Sequence, residues 1–340
     1  METRKVQLTG GSTYTVSLPK GWAGEHGIEA GALLHLYPHE DGSIEVRPDP
    51  SGDGVRDVRA TVGDRSPSAI EITLETLYAV GVDECTLAAD EGFDRDQRAA
   101  IEDTVSRLLG FEIIEAADDR FVLRTLLRTA DVSVRQSLDQ LRLTTLSMHR
   151  TAVSAAIDGD PGRAEQVLER ADEASRLFVL VARSHDRALT DLREVDRLGM
   201  DRSTLADHVA TARRFDRLGR QANRLAERII DRTSGPGIAG GPETGGGDDL
   251  RSLADGAREV VAEASEAVLG EPEPEAAYDA LTARDEVTDE IATAEHKGFD
   301  DAAGDPAIRW SILDDARRTA DLGGTIARIG VRAAAREDGL

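Results

Sequence analysis

The sequence predicts a multidomain, mainly α protein: a short β-rich N-terminal module, a small α/β domain, then two tandem three-helix bundles. Three observations lead there. At 340 residues the chain is long enough for two or three domains with ordinary cores. Apolar residues recur at three- and four-residue steps over most of 131–336, whereas before residue 50 they alternate in strand fashion. The stretch Asp216-Arg-Leu-Gly-Arg-Gln-Ala-Asn-Arg-Leu-Ala-Glu227 also returns in faded form as Arg317-Arg-Thr-Ala-Asp-Leu-Gly-Gly-Thr-Ile-Ala-Arg328, which implies an internal duplication.

Composition limits the classes of function. With 41 basic and 65 acidic residues the formal charge is -24, and Lys5, Lys20 and Lys297 are the only lysines. That balance fits a halophilic protein whose carboxylates keep its surface hydrated, so the acidity says little about partners. Cys85 is the only cysteine, which excludes an intrachain disulfide and a cysteine-based metal site. The N-terminal residues lack the apolar core of a signal peptide, and no run approaches the ~20 apolar residues of a membrane span. A cytoplasmic protein without membrane insertion is expected.

In residues 1–50, Lys5 to Thr9 reads as a strand, Gly10-Gly11-Ser12 as a turn, and Tyr14, Val16 and Leu18 alternate with polar residues in a second strand. Pro19 opens a short helix over about 20–26, closed by Gly27. Leu34 and Leu36, a turn over 39–42, then Ile44 and Val46 make another hairpin. So few residues cannot enclose a competent core alone, and a partner copy is expected. Trp22 and Tyr14 are assigned to the core or dimer interface. The segment up to residue 24 carries Arg4, Lys5 and Lys20 against Glu2, in a chain otherwise strongly acidic. Phosphate needs cations or backbone N–H groups, and the Gly11-Ser12-Thr13 loop beside those cations offers N–H and hydroxyl donors.

Residues 49–54 have linker composition. Over 57–126 the order is β-α-β-α-β-β: strand 58–62, a helix from Pro67 with Ile70, Leu74, Leu77 and Tyr78 on one side, and strand 82–88. A second helix then opens on the capping-box pattern Asp94-Arg-Asp-Gln97, and two strands pair across 117–119. No Gly-rich phosphate loop, catalytic triad or metal-ligand spacing occurs here; a connecting role is expected.

From 131 to 232, Val134, Leu138, Leu141, Thr145, Met148 and Ala152 mark a first bundle helix, broken at Asp158-Gly-Asp-Pro-Gly162. Ala164 to Leu189 mark a second, and about 203–232 a third. Short connections set such helices antiparallel. A Gly-rich linker at 233–248 precedes the second set, 249–336, with Leu250 to Ala267, Leu281 to Ala294 and Ile308 to Ile329 as its stripes. His185 and His208, on or beside apolar stripes, read as core histidines.

Two resemblances follow. Val16-Ser-Leu-Pro-Lys20 and Gly27-Ile-Glu-Ala-Gly31 resemble the motif positions of the SpoVT-AbrB type of DNA-binding domain. This implies half of a swapped-hairpin β-barrel, a homodimer, and DNA contact through Arg4, Lys5, Gly11, Ser12, Thr13 and Lys20. Asp216, Arg217, Leu218, Gly219, Ala222, Leu225, Ala226 and Glu227 resemble the repeated third-helix signature of the PhoU family, while Arg220, Gln221 and Arg224 depart from it. Archaeal relatives of PhoU with an AbrB-like N-terminus carry a similar middle stretch.

The PhoU resemblance implies iron or zinc clusters held by acidic residues four apart on neighbouring helices. Here the first repeat offers Ala171, Ser175, Asp216 and Arg220, and a guanidinium at a ligand position repels a cation. Arg217, Arg220 and Arg224 can instead pair with Asp216 and Glu227, or bind an anion such as phosphate. The second repeat keeps Asp285, Asp289 and Asp321 as candidate iron or zinc ligands beside Arg317. No catalytic constellation stands out, and the chain is read as a non-enzyme. The expected function is a DNA-binding transcriptional regulator of phosphate uptake with the bundle as sensor or interaction body. The alternative is an accessory protein restraining a phosphate transporter or its sensor, its N-terminal module serving only to dimerise. An antitoxin-like DNA binder is disfavoured, because antitoxin tails are short and disordered.

Overall fold

The computed structural model describes residues 3–38, 42–48, 56–127, 132–233, 247–270, 274–297 and 305–336. Most of the turn expected at 39–42, the linker at 49–54 and nearly all of the linker at 233–248 lie outside these. The chain divides into two units, 1–54 and 55–340.

In the first unit, β1 (Gln7–Thr9) pairs antiparallel with β2 (Thr13–Thr15), Gln7 opposite Thr15 and Thr9 opposite Thr13. Gly10 and Gly11 link them at φ 64° and 79°, left-handed values that L side chains rarely adopt. The strands are shorter than the alternation suggested. Gln7, the first residue of β1, already faces Thr15, so Val16 and Leu18 have no opposite strand within the hairpin. Helix α1 (Lys20–Glu25) starts after Pro19 and is followed by Gly27 at φ 64°. Strands β3 (His35–Pro38) and β4 (Ile44–Arg47) form a separate antiparallel pair. None of the described residues of this unit is buried. Leu33 is 83 % exposed, Tyr14 76 %, and Leu8, Leu36 and Ile44 are also open. Tyr14 is therefore no core residue of the single chain.

The second unit begins with β5 (Asp57–Thr61), α2 (Pro67–Ala79), β6 (Glu84–Ala88), α3 (Arg95–Arg107), β7 (Phe111–Ala116) and β8 (Arg120–Thr125). The sheet order is β5-β6-β8-β7: β5 and β6 run parallel through the α2 crossover, the other pairs antiparallel. The Ser66 hydroxyl caps α2. At α3 the Asp94 side chain accepts from Gln97 N at 2.8 Å while the Gln97 side chain accepts from Asp94 N at 3.0 Å, closing the capping box. Ile70, Leu74 and Tyr78 from α2, with Ile101 from α3, bury one face of the sheet together with Cys85, Leu87, Phe121 and Leu123.

The helical body follows. Helices α4 (Val134–Asp158), α5 (Pro161–Thr190) and α7 (Arg202–Thr233) form the first set, and α8 (Gly247–Leu269), α9 (Pro274–Lys297) and α10 (Pro306–Arg336) the second. Gly159, left-handed at φ 63°, ends α4, and Asp160 caps α5, whose first residue is Pro161. A short α6 (Leu192–Leu198) between α5 and α7 was not expected, since seven residues carry no usable helical period. One apolar core runs through both sets, from Leu138, Met148 and Phe215 to Val261, Ile312 and Ile326.

A polar cluster crosses that core. His149 of α4 is fully buried. Arg258 Nη1 of α8 donates to its Nδ1 at 2.9 Å, so the ring proton sits on Nε2, facing Thr319 Oγ1 of α10 at 3.1 Å and Asp315 Oδ2 at 2.6 Å. The Asp315 oxygen is close in distance yet lacks hydrogen-bond alignment with that nitrogen. Gly323 is required by close helix approach: a Cβ there would lie 2.7 Å from Val260 Cγ1 and 3.0 Å from the α8 backbone. Among the described residues, no helix is long and apolar enough to cross a membrane.

Candidate functional sites

The residues expected to touch DNA are all exposed: Arg4, Lys5, Gly11, Ser12, Thr13 and Lys20. Lys5 precedes β1 and Lys20 follows β2, so both leave the open end, whereas Gly11 and Ser12 form the turn at the other. Three residue pairs, about 10 Å of strand, lie between the end of the hairpin that Lys5 precedes and the donor loop, while Lys20 opens α1, five residues beyond β2.

In the helical body, α2, α4, α5 and α7 line a half-open cleft of about 520 Å³, within the size range of small-molecule sites. Small residues open it: Ala171, Ala174 and Ser175 on α5 and Gly219 on α7, with Met148 and Phe178 as apolar walls and Glu75 and Thr76 of α2 above. Arg220 Nε lies 2.9 Å from Asp216 Oδ2, an ion pair on the rim. Asn223 donates Nδ2–H to Glu227 Oε1 at 2.9 Å, which fixes the amide orientation and leaves its buried Oδ1 an acceptor without a partner. The ion network expected from Arg217 and Arg224 does not form; Arg220 alone takes Asp216, and Glu227 is held by Asn223. The α5 positions facing Asp216 hold Ala171 and Ser175 in place of carboxylates, and the Asp216 charge is already met by a guanidinium, so these residues do not fit a metal cluster.

The second repeat differs from its expectation. Asp285 and Asp289 are exposed on α9 and Asp321 on α10. Arg284 reaches between them, 3.1 Å from Asp285 Oδ1 and 3.8 Å from Asp321 Oδ1, while Arg317 pairs with Glu295. Among the described residues no three His, Cys, Asp or Glu side chains converge as metal ligands. Arg284 supplies the positive charge that iron or zinc would bring, so Asp285, Asp289 and Asp321 do not fit that role.

Sequence reasoning missed the junction between the α/β domain and α5. The buried Arg183 donates Nη1–H to Tyr78 O at 2.6 Å and Val82 O at 3.0 Å, and its guanidinium carbon lies 4.7 Å from the Tyr78 ring centroid. Burial pulls its pKa down to about 10, with the Arg187 and Arg56 charges adding to the effect and Tyr78 and Asp83 opposing it. Arg187 donates to Gly81 O at 3.1 Å, Asp83 Oδ1 at 2.5 Å and the buried Glu194. Arg56 reaches Val80 O at 3.2 Å and Thr190 Oγ1. Three guanidinium groups thus take up carbonyls in the last turn of α2 and just past it, where the helix dipole is negative. These contacts span about a hundred residues, and no local pattern announces them.

The two flagged histidines part company. His185 is half-buried with Nδ1 3.3 Å from Asp186 Oδ1. His208 is buried with Nδ1 unpartnered, and burial, with the Arg135 charge, holds its pKa below the usual value.

Comparison with known proteins places two domain classes on the chain. Residues 138–229 match the PhoU domain, and residues 7–53 match MazE, the bacterial antitoxin described as an antidote-toxin recognition domain. The chain therefore carries an AbrB-like module followed by a PhoU domain, a pairing that supports a regulator of phosphate homeostasis. Among solved structures it resembles PhoU from Pseudomonas aeruginosa at 20% identity and a TM-score of 0.47, covering 60% of this chain and 96% of that one. No curated protein matches.

Proposed function

We propose that this protein is a dimeric, DNA-binding transcriptional regulator of phosphate uptake, with the PhoU-like body as its sensor or interaction surface. The observation that carries this reading is the N-terminal unit itself. Its described residues enclose no side chain, yet Leu8, Tyr14, Leu33, Leu36 and Ile44 are open. Such a module needs a second copy to gain a core. Lys5 and Lys20, two of the three lysines in a chain of charge -24, are exposed there.

Two separated ends of each hairpin then contact the duplex, and dimerisation sets their spacing. The test is an electrophoretic shift with promoter DNA of phosphate-uptake genes, comparing the wild type with Lys5→Ala/Lys20→Ala across salt concentrations. Four lysines per dimer at phosphates predict a salt slope shallower by about 3.6 and at least tenfold weaker binding at low salt. Unchanged affinity and slope remove these residues from the mechanism.

A further inference from the structure

The solvent face of α7 is almost entirely arginine. Arg213, Arg217, Arg220, Arg224 and Arg228 are all exposed at four- and three-residue steps, interrupted only by Glu227. From Arg213 to Arg228 is fifteen residues of helix, about 22 Å. Arg213, Arg217 and Arg224 make no ion pair among the described residues. Nearby Arg214 is lowered in pKa first by its own burial, then by the charges of Arg217, Arg213 and Arg332, so the cluster repels itself.

Helix α9 is the opposite. Glu275, Asp279, Asp285, Glu286, Asp289 and Glu290 are exposed along it, and no exposed lysine or arginine lies between them. Glu275 to Glu290 is again fifteen residues, about 22 Å. Only Asp285 has an ion pair, with Arg284. Within one chain the two faces do not neutralise each other. Helix α10 packs against both and stands between them.

We propose that α7 of one copy docks along α9 of a second copy, arginine face against carboxylate face, as a contact in the helical body distinct from the N-terminal module. Matched length and opposite charge argue for a second copy as the occupant, because this same chain displays the complement. Used reciprocally, the contact closes at two copies.

Position 220 lies at the middle of the arginine face and Thr282 at the middle of the acidic one, so either helix orientation brings them together. Full-length Arg220→Cys and Thr282→Cys chains, differently tagged and co-expressed, are treated with a short bismaleimide. Native Cys85 does not compete, being buried, with its thiol pushed up to about 12 by burial and by Asp57 and Glu84. The expected result is a linked product joining the two tags, falling as salt rises.

Arg217→Glu/Arg224→Glu in the first chain should cut that product at least tenfold. Adding Asp279→Arg/Glu286→Arg to the second should restore it, which separates lost docking from lost folding. An absent product, or one indifferent to charge reversal, overturns the proposal. So does reversal that abolishes DNA binding while leaving the product intact, which would assign the face to nucleic acid.

Discussion

Asp83 is the carboxylate on which the α/β domain and α5 meet. Its Oδ1 accepts from Arg187 at 2.5 Å and from Arg183 at 3.4 Å, and its Oδ2 accepts from Arg56 N at 3.1 Å. Asp83→Asn keeps the shape and removes the charge. Arg187 retains Glu194, but the buried Arg183 is left beside two other cations with no counter-charge. Removing one partner of a buried pair costs about 3–5 kcal/mol. Asp83 is about a fifth exposed, so the lower end, about 3 kcal/mol, is expected. Arg183→Met retains the apolar stem against Tyr78 and loses two charge-assisted bonds to carbonyls, each worth about 1.5–3 kcal/mol. It also relieves a guanidinium that burial disfavours, leaving a net loss of about 2 kcal/mol. In the double variant the stranded cation is gone, so the combined loss should fall short of the sum by about 2 kcal/mol. Urea unfolding followed by circular dichroism, with unchanged denaturant dependence, measures all four corners. Additivity within about 0.5 kcal/mol would refute the view that Asp83 and Arg183 act as one unit.

Two further outcomes test the body. Gly323→Ala should destabilise by about 1–3 kcal/mol in the same assay, because its Cβ would press on the α8 backbone, which cannot turn aside. Gly219→Ala meets only a Thr145 methyl at 3.2 Å and gains helix propensity, so it should stay within about 1 kcal/mol of wild type; equal effects would contradict the packing argument. His208 has a folded pKa below 6.5. As pH falls through that window the unfolded chain takes up a proton the folded chain refuses, so stability drops with acidification. The stability difference between wild type and His208→Gln should therefore shrink from about pH 7.5 to about pH 5, and a constant difference would show that His208 is not shielded.

The mainly α architecture was legible because its punctuation is local. Gly159 and Pro161 stop and restart helices, Asp94 and Gln97 close a box three residues apart, and the stripes of Leu138 to Ala152 repeat within a turn. The candidate sites were legible only as inventories. Sequence flagged His185 and His208, whereas the histidine placed at the junction of both repeats is His149, whose partners Arg258 and Thr319 lie 109 and 170 residues away. Asp285 and Asp321 read as ligands until Arg284, an unremarked neighbour, turned out to lie between them. Pairing across a fold depends on which side of a helix meets which, and spacing along one helix does not carry that information.

If a module whose described residues enclose no side chain orders only by pairing, it does not assemble in proportion to how much chain is made. On the proposed dimeric reading, the yield of its ordered form grows with the square of chain abundance at low levels, which would make cellular dosage itself an input. Overproducing residues 1–50 alone should then act as a poison, soaking up intact chains into mixed pairs that lack one helical body.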